Sequence, residues 1–252
     1  MANPAPSDQF VQSLARGLAV IEAFGADRPE LTLSEVAEVT GLSRAAARRF
    51  LLTLVELGFA RQSYGRFTLT SRVLRLGTAY LSGLGLPEIA QPHLERLSAT
   101  VGESTSAAVL DGTDIVYVAR VATRQIMTVG ITVGTRFPAF ATSMGRALLA
   151  DLEPEELDAF FLAADLTPPT ERTITDEKQL RRLLARVRQQ GYAYNDQELA
   201  PGLRAVAAPI RDRTGRPVAA INISSTTAHD PVREFVEPLK EAAAAIAADL
   251  AE

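Results

Sequence analysis

Residues 41–69, GLSRAAARRFLLTLVELGFARQSYGRFTL, place a helix directly before a hairpin. Ser43 is a good N-cap for a helix from Arg44 to Leu57, along which Ala47, Leu51, Leu54 and Val55 form an apolar stripe. Gly58 ends that helix, and Phe59–Gln62 and Arg66–Leu69 then flank Ser63-Tyr64-Gly65, which predicts two short strands around a glycine turn. Working backward, Thr32 or Ser34 can start a short helix bearing Val36, Ala37 and Val39 that stops at Gly41. Before it, Ser13 can cap a helix whose Leu14, Leu18, Ile21 and Phe24 recur at helical spacing ahead of Gly25. Two helices across a glycine-containing turn, the second rich in arginine at its start, form the helix-turn-helix pattern. A three-helix core is common; the hairpin after it is a wing, and the wing makes the reading specific. The expected unit is a winged helix-turn-helix over residues 10–70, preceded at 1–9 by a disordered arm with two prolines and no apolar period.

Working forward, Val73, Leu76, Tyr80 and Leu84 suggest one more helix from Leu69 to Gly83, a linker within 71–86 that ends in Gly83-Leu84-Gly85-Leu86-Pro87. Beyond it, over 87–252, the pattern is mixed. A helix near Ile89–Val101 precedes strand-like runs at Ser104–Leu110, Ile115–Val121 and Ile126–Val133. Helices follow around Met144–Leu152, Pro154–Ala164 and Glu177–Gln190, then strands at Tyr192–Gln197, Arg204–Arg211 and Pro217–Ser225, and a last helix from about Pro231 to Leu250. Six strands with helices in blocks predict an α+β domain with an antiparallel-type sheet and helices on one face, not an alternating βαβ fold.

A length of 252 residues suits two folded units. With no cysteine and only His93 and His229, a disulfide framework, a thiolate metal site, a cysteine nucleophile and a histidine-rich metal site are excluded. No cofactor or metal is expected. No apolar run reaches the roughly 18 residues of a membrane span, and the N-terminus lacks a signal-peptide pattern, so a cytoplasmic protein with no membrane partner is expected.

The net charge of -4 conceals a cationic segment: Arg44, Arg48, Arg49, Arg61, Arg66, Arg72 and Arg75 face the single acid Glu56 between positions 44 and 75. Such a segment within an acidic chain is the footprint of a polyanion contact, a solvated arginine surface being the plain alternative. In a helix-turn-helix the second helix enters the major groove of double-stranded DNA. Ser43, Arg44, Ala45, Arg48 and Arg49 at its start are the candidate contacts. Arg44 and Arg48 share a face, and Arg49 is turned about 100° from Arg48 toward a flanking phosphate. Ala45 and Ala46 keep the helix slim, and Arg61 and Arg66 in the wing suit phosphate or minor-groove contact.

Ser13-Leu-Ala-Arg-Gly-Leu-Ala-Val-Ile21, Thr32-Leu-Ser-Glu-Val-Ala37, Gly41-Leu-Ser-Arg44 and Leu52-Thr-Leu-Val-Glu-Leu-Gly58 together resemble the IclR family of transcriptional regulators. The likeness extends through Val133-Gly-Thr-Arg-Phe-Pro138 to Arg146, Gly191-Tyr-Ala-Tyr-Asn-Asp-Gln-Glu198 and Gly202-Leu-Arg-Ala-Val-Ala-Ala-Pro-Ile210, covering the chain from about Phe10 onward. Residues 43–54 and the Arg136-Phe137-Pro138 stretch are most similar to the regulators of protocatechuate and 4-hydroxybenzoate catabolism, the β-ketoadipate pathway group.

The resemblance implies a GAF-like effector domain, a homodimer built through the DNA-binding half, often a tetramer, and a small organic acid as effector, here an aromatic one. It implies effector positions at Ser143 and Met144, Asn195 and Asp196, Ala205, Asn222 and Ser224. A helix starting near Ser143 presents free N–H groups that suit a carboxylate, and Asn222 and Ser224, two apart on a strand, face one side. The family's sensors of small keto acids tend to place an acid, a cysteine and serines at several of these positions. Asn195, Ala205 and Asn222 stand there instead, which removes charge and adds room. Arg136 and Arg146 are candidate charge partners, a structural salt bridge being the other role open to each.

Two further classes compete with a regulator. An enzyme acting on a small acid would need a nucleophile and base or paired carboxylates. His93, in a predicted surface helix, and His229 have no Gly-x-Ser-x-Gly near them, and Asp196 and Glu198, alternating on a strand, fit a solvated edge; the chain is not expected to be an enzyme. A protein-only winged-helix module would lack the steep salt dependence of duplex binding.

Overall fold

A computed structural model describes residues 9–25, 27–77, 85–123 and 131–251. The chain divides into two compact units, one up to Tyr80 and one from Leu81. Of the arm expected over 1–9, residues 1–8 lie outside the described residues.

In the first unit α1 (Gln12–Glu22), β1 (Glu30–Thr32), α2 (Leu33–Thr40) and α3 (Arg44–Glu56) lead into β2 (Ala60–Ser63) and β3 (Arg66–Leu69). Thr32 starts α2 through a capping box: its hydroxyl accepts from the Glu35 N–H at 3.3 Å and its own N–H donates to the Glu35 carboxylate at 2.6 Å. Gly41, at φ 64°, closes α2 in the left-handed region and turns the chain toward α3. Val20, Leu31, Val36, Ala47, Leu51, Leu54, Ala60 and Phe67 fill the core, and the sheet order is β1-β3-β2, all antiparallel. This is a winged helix-turn-helix.

Three details differ from the sequence reading. The expected Ser13 cap is not formed, because α1 begins at Gln12 after an uncapped Val11. β1 falls where a loop is expected; it is three residues long with only Leu31 buried, too short to show alternation. The expected linker helix cannot start at Leu69, because that residue pairs with Ala60 in the wing. Thr70 instead caps a 3-10 turn at Ser71–Val73, residues 74–77 are helical, and the expected continuation over 78–84 lies outside the described residues.

The second unit opens with α4 (Leu86–Val101), β4 (Ser104–Asp111), β5 (Asp114–Val121) and β6 (Arg136–Pro138). It continues with α5 (Ser143–Leu149), α6 (Pro154–Ala163), α7 (Glu177–Gln190), β7 (Ala193–Asp196), β8 (Leu203–Arg211), β9 (Pro217–Thr226) and α8 (Pro231–Asp249). The six strands run β6-β5-β4-β9-β8-β7, every pair antiparallel.

Helices cover both faces of this sheet, not one. Ala107, Val109, Ala208, Ile210, Ile221 and Ile223 pack with Leu94 and Leu97 of α4 and Leu239 and Ile246 of α8. Their strand neighbours Ala108, Ala207 and Ala220 pack with Met144 and Leu148 of α5, Phe160 of α6 and Leu184 of α7. Burial of adjacent residues on opposite sides is what a covered sheet requires. The third strand is also displaced: Ile131–Val133 is not strand, residues 124–130 of that expected run lie outside the described residues, and the edge is made by β6. An arginine and an edge proline conceal β6 from an alternation search.

Candidate functional site

Ser43 caps α3, its hydroxyl accepting from the Ala46 N–H at 3.2 Å. With Ala47, Leu51 and Leu54 turned to the core, Arg44, Ala45, Arg48 and Arg49 are exposed. Among the described residues no carboxylate lies within ion-pair distance of Arg44, Arg48 or Arg49. In the wing, Arg61 Nε donates to Thr68 Oγ1 across the strand pair at 2.8 Å, and Arg66 stands 4.0 Å from Glu35. Tyr64, at φ 47°, is fully exposed at the tip.

In the second unit, Ser143 and Met144 at the start of α5 meet Asn195, Ala205 and Asn222 from the sheet around a narrow cavity of about 10 Å³, with Tyr117, Thr142 and Leu199 completing the lining. As it stands the cavity admits about one water molecule. Ser224 lies beside it, accepting from Asn222 Nδ2 at 2.9 Å. Asn222 thus binds its strand neighbour and lines the cavity at once, but its Oδ1, buried, has no partner among the described residues. Leaving such an acceptor unpaired costs about 1–3 kcal/mol, so it points to a missing donor.

Both polar atoms of Asn195 are engaged: Nδ2 donates to the Ala141 carbonyl at 2.9 Å and Oδ1 accepts from the Glu198 N–H at 3.3 Å, tying β7 to the turn ahead of α5. Asp196, the next residue, lies on the other face of β7. It pairs with Arg204 at 2.8 Å and Arg172 at 3.2 Å, and these partners hold its carboxyl below the ordinary range. Strand alternation puts adjacent residues on opposite sides, so Asn195 and Asp196 cannot share a pocket. The cavity's phenol, Tyr117, is pushed up to about 12 by burial, Arg120 nearby acting in the opposite sense.

The expected pairing of Asp196 with Glu198 along one strand fails, because β7 ends at Asp196 and Gln197 turns the chain at φ 62°. Glu198 instead meets the buried Arg146 in a two-pronged pair with both contacts at 2.5 Å, and it also accepts from the Ile174 N–H at 2.9 Å. Arg146 Nε donates to the Phe140 carbonyl at 2.8 Å, so its fork is committed to structure. Arg136 is likewise committed, to Asp111 at 2.5 Å and Asp114 at 3.3 Å on the β4–β5 turn. Gly145 is a fit that sequence reasoning missed: a Cβ there would stand 2.1 Å from the Ala139 carbonyl oxygen, so α5 lies directly on the turn Ala139–Ala141.

His93 is buried rather than on a surface helix, with Asp249 at 2.7 Å and Arg96 at 2.8 Å. His229 sits by Glu234 at 2.9 Å and Glu103 at 3.3 Å. Neither histidine, and no carboxylate, lines the cavity, so a nucleophile there would lack a base.

Residues 13–63 match the IclR helix-turn-helix domain, and residues 78–248 match the C-terminal domain of the bacterial transcriptional regulator IclR. The Pca regulon regulatory protein of Pseudomonas putida is 44% identical over 217 residues, which cover 86% of this chain and 75% of the relative. The p-hydroxybenzoate hydroxylase transcriptional activator of Acinetobacter baylyi is 40% identical over 226 residues, 88% of this chain and 83% of that protein. Among solved structures, an IclR homolog from Microbacterium hydrocarbonoxydans complexed with 4-hydroxybenzoate superposes with a TM-score of 0.85 at 30% identity, covering 94% of this chain and 98% of that one. Matched across both of its domains, the chain belongs to the IclR family of bacterial transcriptional regulators, which are not enzymes.

Proposed function

We propose that this regulator binds operator DNA through Ser43, Arg44, Ala45, Arg48 and Arg49 of the α3 start and Arg61 and Arg66 of the wing, and responds to a hydroxybenzoate-class aromatic acid. Uncompensated, exposed arginines at the start of α3 suit guanine edges, each good bidentate contact being worth about 1–3 kcal/mol of discrimination. Arg66 gives up only a solvent-exposed contact to Glu35, a kind of pair worth about 1 kcal/mol or less.

For the effector, the carrying observation is the unpartnered Asn222 Oδ1 in a cavity otherwise walled largely by Tyr117, Met144, Leu199 and Ala205. An aromatic ring fits such walls, and a phenolic hydroxyl supplies the missing donor. Ser143, Met144, Asn195, Ala205, Asn222 and Ser224 form the site; Asp196, turned away and salt-bridged, is left out of it. The narrowness of the cavity means that side chains must move for the ligand to enter, and Met144 is suited to that. A ligand that binds only the opened arrangement shifts the population of states, which is the element of a switch.

Exposed Phe10, Val11, Leu14 and Leu18 at α1 and just before it favour a homodimer through the first unit, able to pair into a tetramer, and hence a pseudo-palindromic operator. Among the described residues no helix is long and apolar enough to cross a membrane, in keeping with action on DNA in the cytoplasm.

Thermal unfolding of the full chain against 4-hydroxybenzoate, protocatechuate, glyoxylate and pyruvate tests the effector. A ligand at a hundredfold its Kd stabilises by about 2.7 kcal/mol. A rise with the aromatic acids alone is expected; no rise with either withdraws the assignment.

A further inference from the structure

We propose that Arg120 is the carboxylate anchor of the effector site, so that the aromatic acid lies across the sheet from Arg120 on β5 to Asn222 on β9. The proposal rests on the effector reading above and deepens it by fixing the ligand's direction.

A cation suits a bound acid, and among the described residues the other arginines near this part of the sheet are matched: Arg136 by Asp111 and Asp114, Arg146 by Glu198, Arg204 by Asp196. Among the described residues Arg120 has no carboxylate within ion-pair distance. Its Nη1 donates to Ser106 Oγ at 3.2 Å, and its Nε is buried with no acceptor among the described residues. A partly buried guanidinium with an unused N–H presents half of the fork that a carboxylate fills with two parallel hydrogen bonds.

Arg120 does not line the cavity as it stands, but register puts it on the cavity's face of the sheet. Tyr117, which lines the cavity, stands three residues before Arg120, so simple alternation would put the two on opposite faces. The β4–β5 pairing, however, shifts between Ala107 and Ala108: Ala108 pairs with Tyr117, Ala107 with Ala119 and Ser106 with Arg120. The extra residue in β5 is a bulge, a device that re-aims a side chain, and it returns Arg120 to the face of Tyr117. Ser106 in turn pairs with Asn222. Arg120, Ser106 and Asn222 therefore form one cross-strand row, with the backbones of its ends two strand spacings apart, about 9.6 Å. The small Ser106 in the middle gives a floor on which a ring lies beside Tyr117 once the guanidinium swings off Ser106 Oγ toward β5. The polarity then matches at both ends: guanidinium donors meet the carboxylate, and the unpartnered Asn222 Oδ1 meets a para-hydroxyl.

Calorimetric titration of the full chain with 4-hydroxybenzoate and with its uncharged amide, 4-hydroxybenzamide, tests this. The unaltered protein is expected to prefer the acid by about tenfold or more, and Arg120→Gln to weaken the acid roughly 10- to 100-fold while changing the amide by less than about threefold. The preference then collapses. An Arg120→Gln protein that melts normally yet keeps the full preference overturns the assignment and moves the carboxylate to the start of α5, with the effector reading intact. If Arg120→Gln does not fold, Arg120→Lys decides: a point charge without the fork is expected to weaken the acid selectively, and an undiminished preference overturns the proposal. Failure of the unaltered protein to bind either compound removes the effector reading and this inference together.

Discussion

Alanine at position 145 would bring its methyl carbon to 2.1 Å from the Ala139 carbonyl oxygen and 2.4 Å from the Ala139 Cα. Both obstacles are backbone, so no rotamer change relieves them, and α5 must retreat from the turn beneath it by about 1 Å or more to restore contact distance. Overpacking of this kind costs about 3 kcal/mol, and the better helix propensity of alanine returns about 1 kcal/mol, leaving a net loss of about 2 kcal/mol. For a domain of this size that lowers the melting temperature by roughly 4–8 °C. Scanning calorimetry of the full chain is the suitable assay, and the transition of the second unit is the one expected to move. The start of α5 also lines the cavity, so effector affinity should fall with it. An unchanged or raised second transition would show that the close approach of α5 to Ala139 does not constrain the fold, and the reasoning would fail.

Arg48→Ala should weaken operator binding roughly tenfold in a fluorescence-anisotropy titration, and flatten its salt dependence by about one unit of slope if the contact is to a phosphate; undiminished affinity would displace α3 as the reading helix. Asn222→Leu, which deletes both the unpartnered acceptor and the donor to Ser224, should change the melting temperature little, the one effect offsetting the other, while weakening 4-hydroxybenzoate about tenfold; normal affinity would contradict the assignment. The hydrogen bond to Glu234 raises the His229 imidazole above its ordinary value of 6.5. Its stabilising contribution is therefore complete below pH 6.5 and is lost as pH rises through the elevated folded value. Hydrogen exchange in the first turn of α8 should quicken across that window, and His229→Asn should flatten the profile.

Much of this molecule is legible in its sequence because local chemistry and tertiary structure agree. Ser43, Ala47, Leu51 and Leu54 cap and bury α3 as their spacing predicts, and the turn at Tyr64-Gly65 produces the wing. What escapes notice depends on partners distant in the chain. β1 exists only because Leu31 pairs with Phe67, and β6 only because Arg136 and Pro138 find an edge of β5. The site divides in the same way. Asn222 and Ser224 share a face by strand alternation, as read. Alternation along β7 also separates Asp196 from Asn195, whereas its separation from Glu198 needed the positive φ of Gln197 and the buried Arg146, which no single-strand pattern carries. Arg120 escapes because a bulge is a property of two strands.

The cavity's floor and roof are built on different terms. Asn195, Ala205, Ser224 and Ser104 form one row of paired residues, and Ala207, Asn222 and Ser106 form the next. The ladder beneath them is held by main-chain bonds that do not depend on which side chain stands above. The roof, α5, is pinned by Gly145 on one side and by the Arg146–Glu198 pair on the other. If the proposed site holds the effector, its preference can therefore drift through exchanges at Ala205, Asn222 or Ser224 while the scaffold persists, whereas the roof is bound to its present residues. A library built to retune the sensor belongs on the strands.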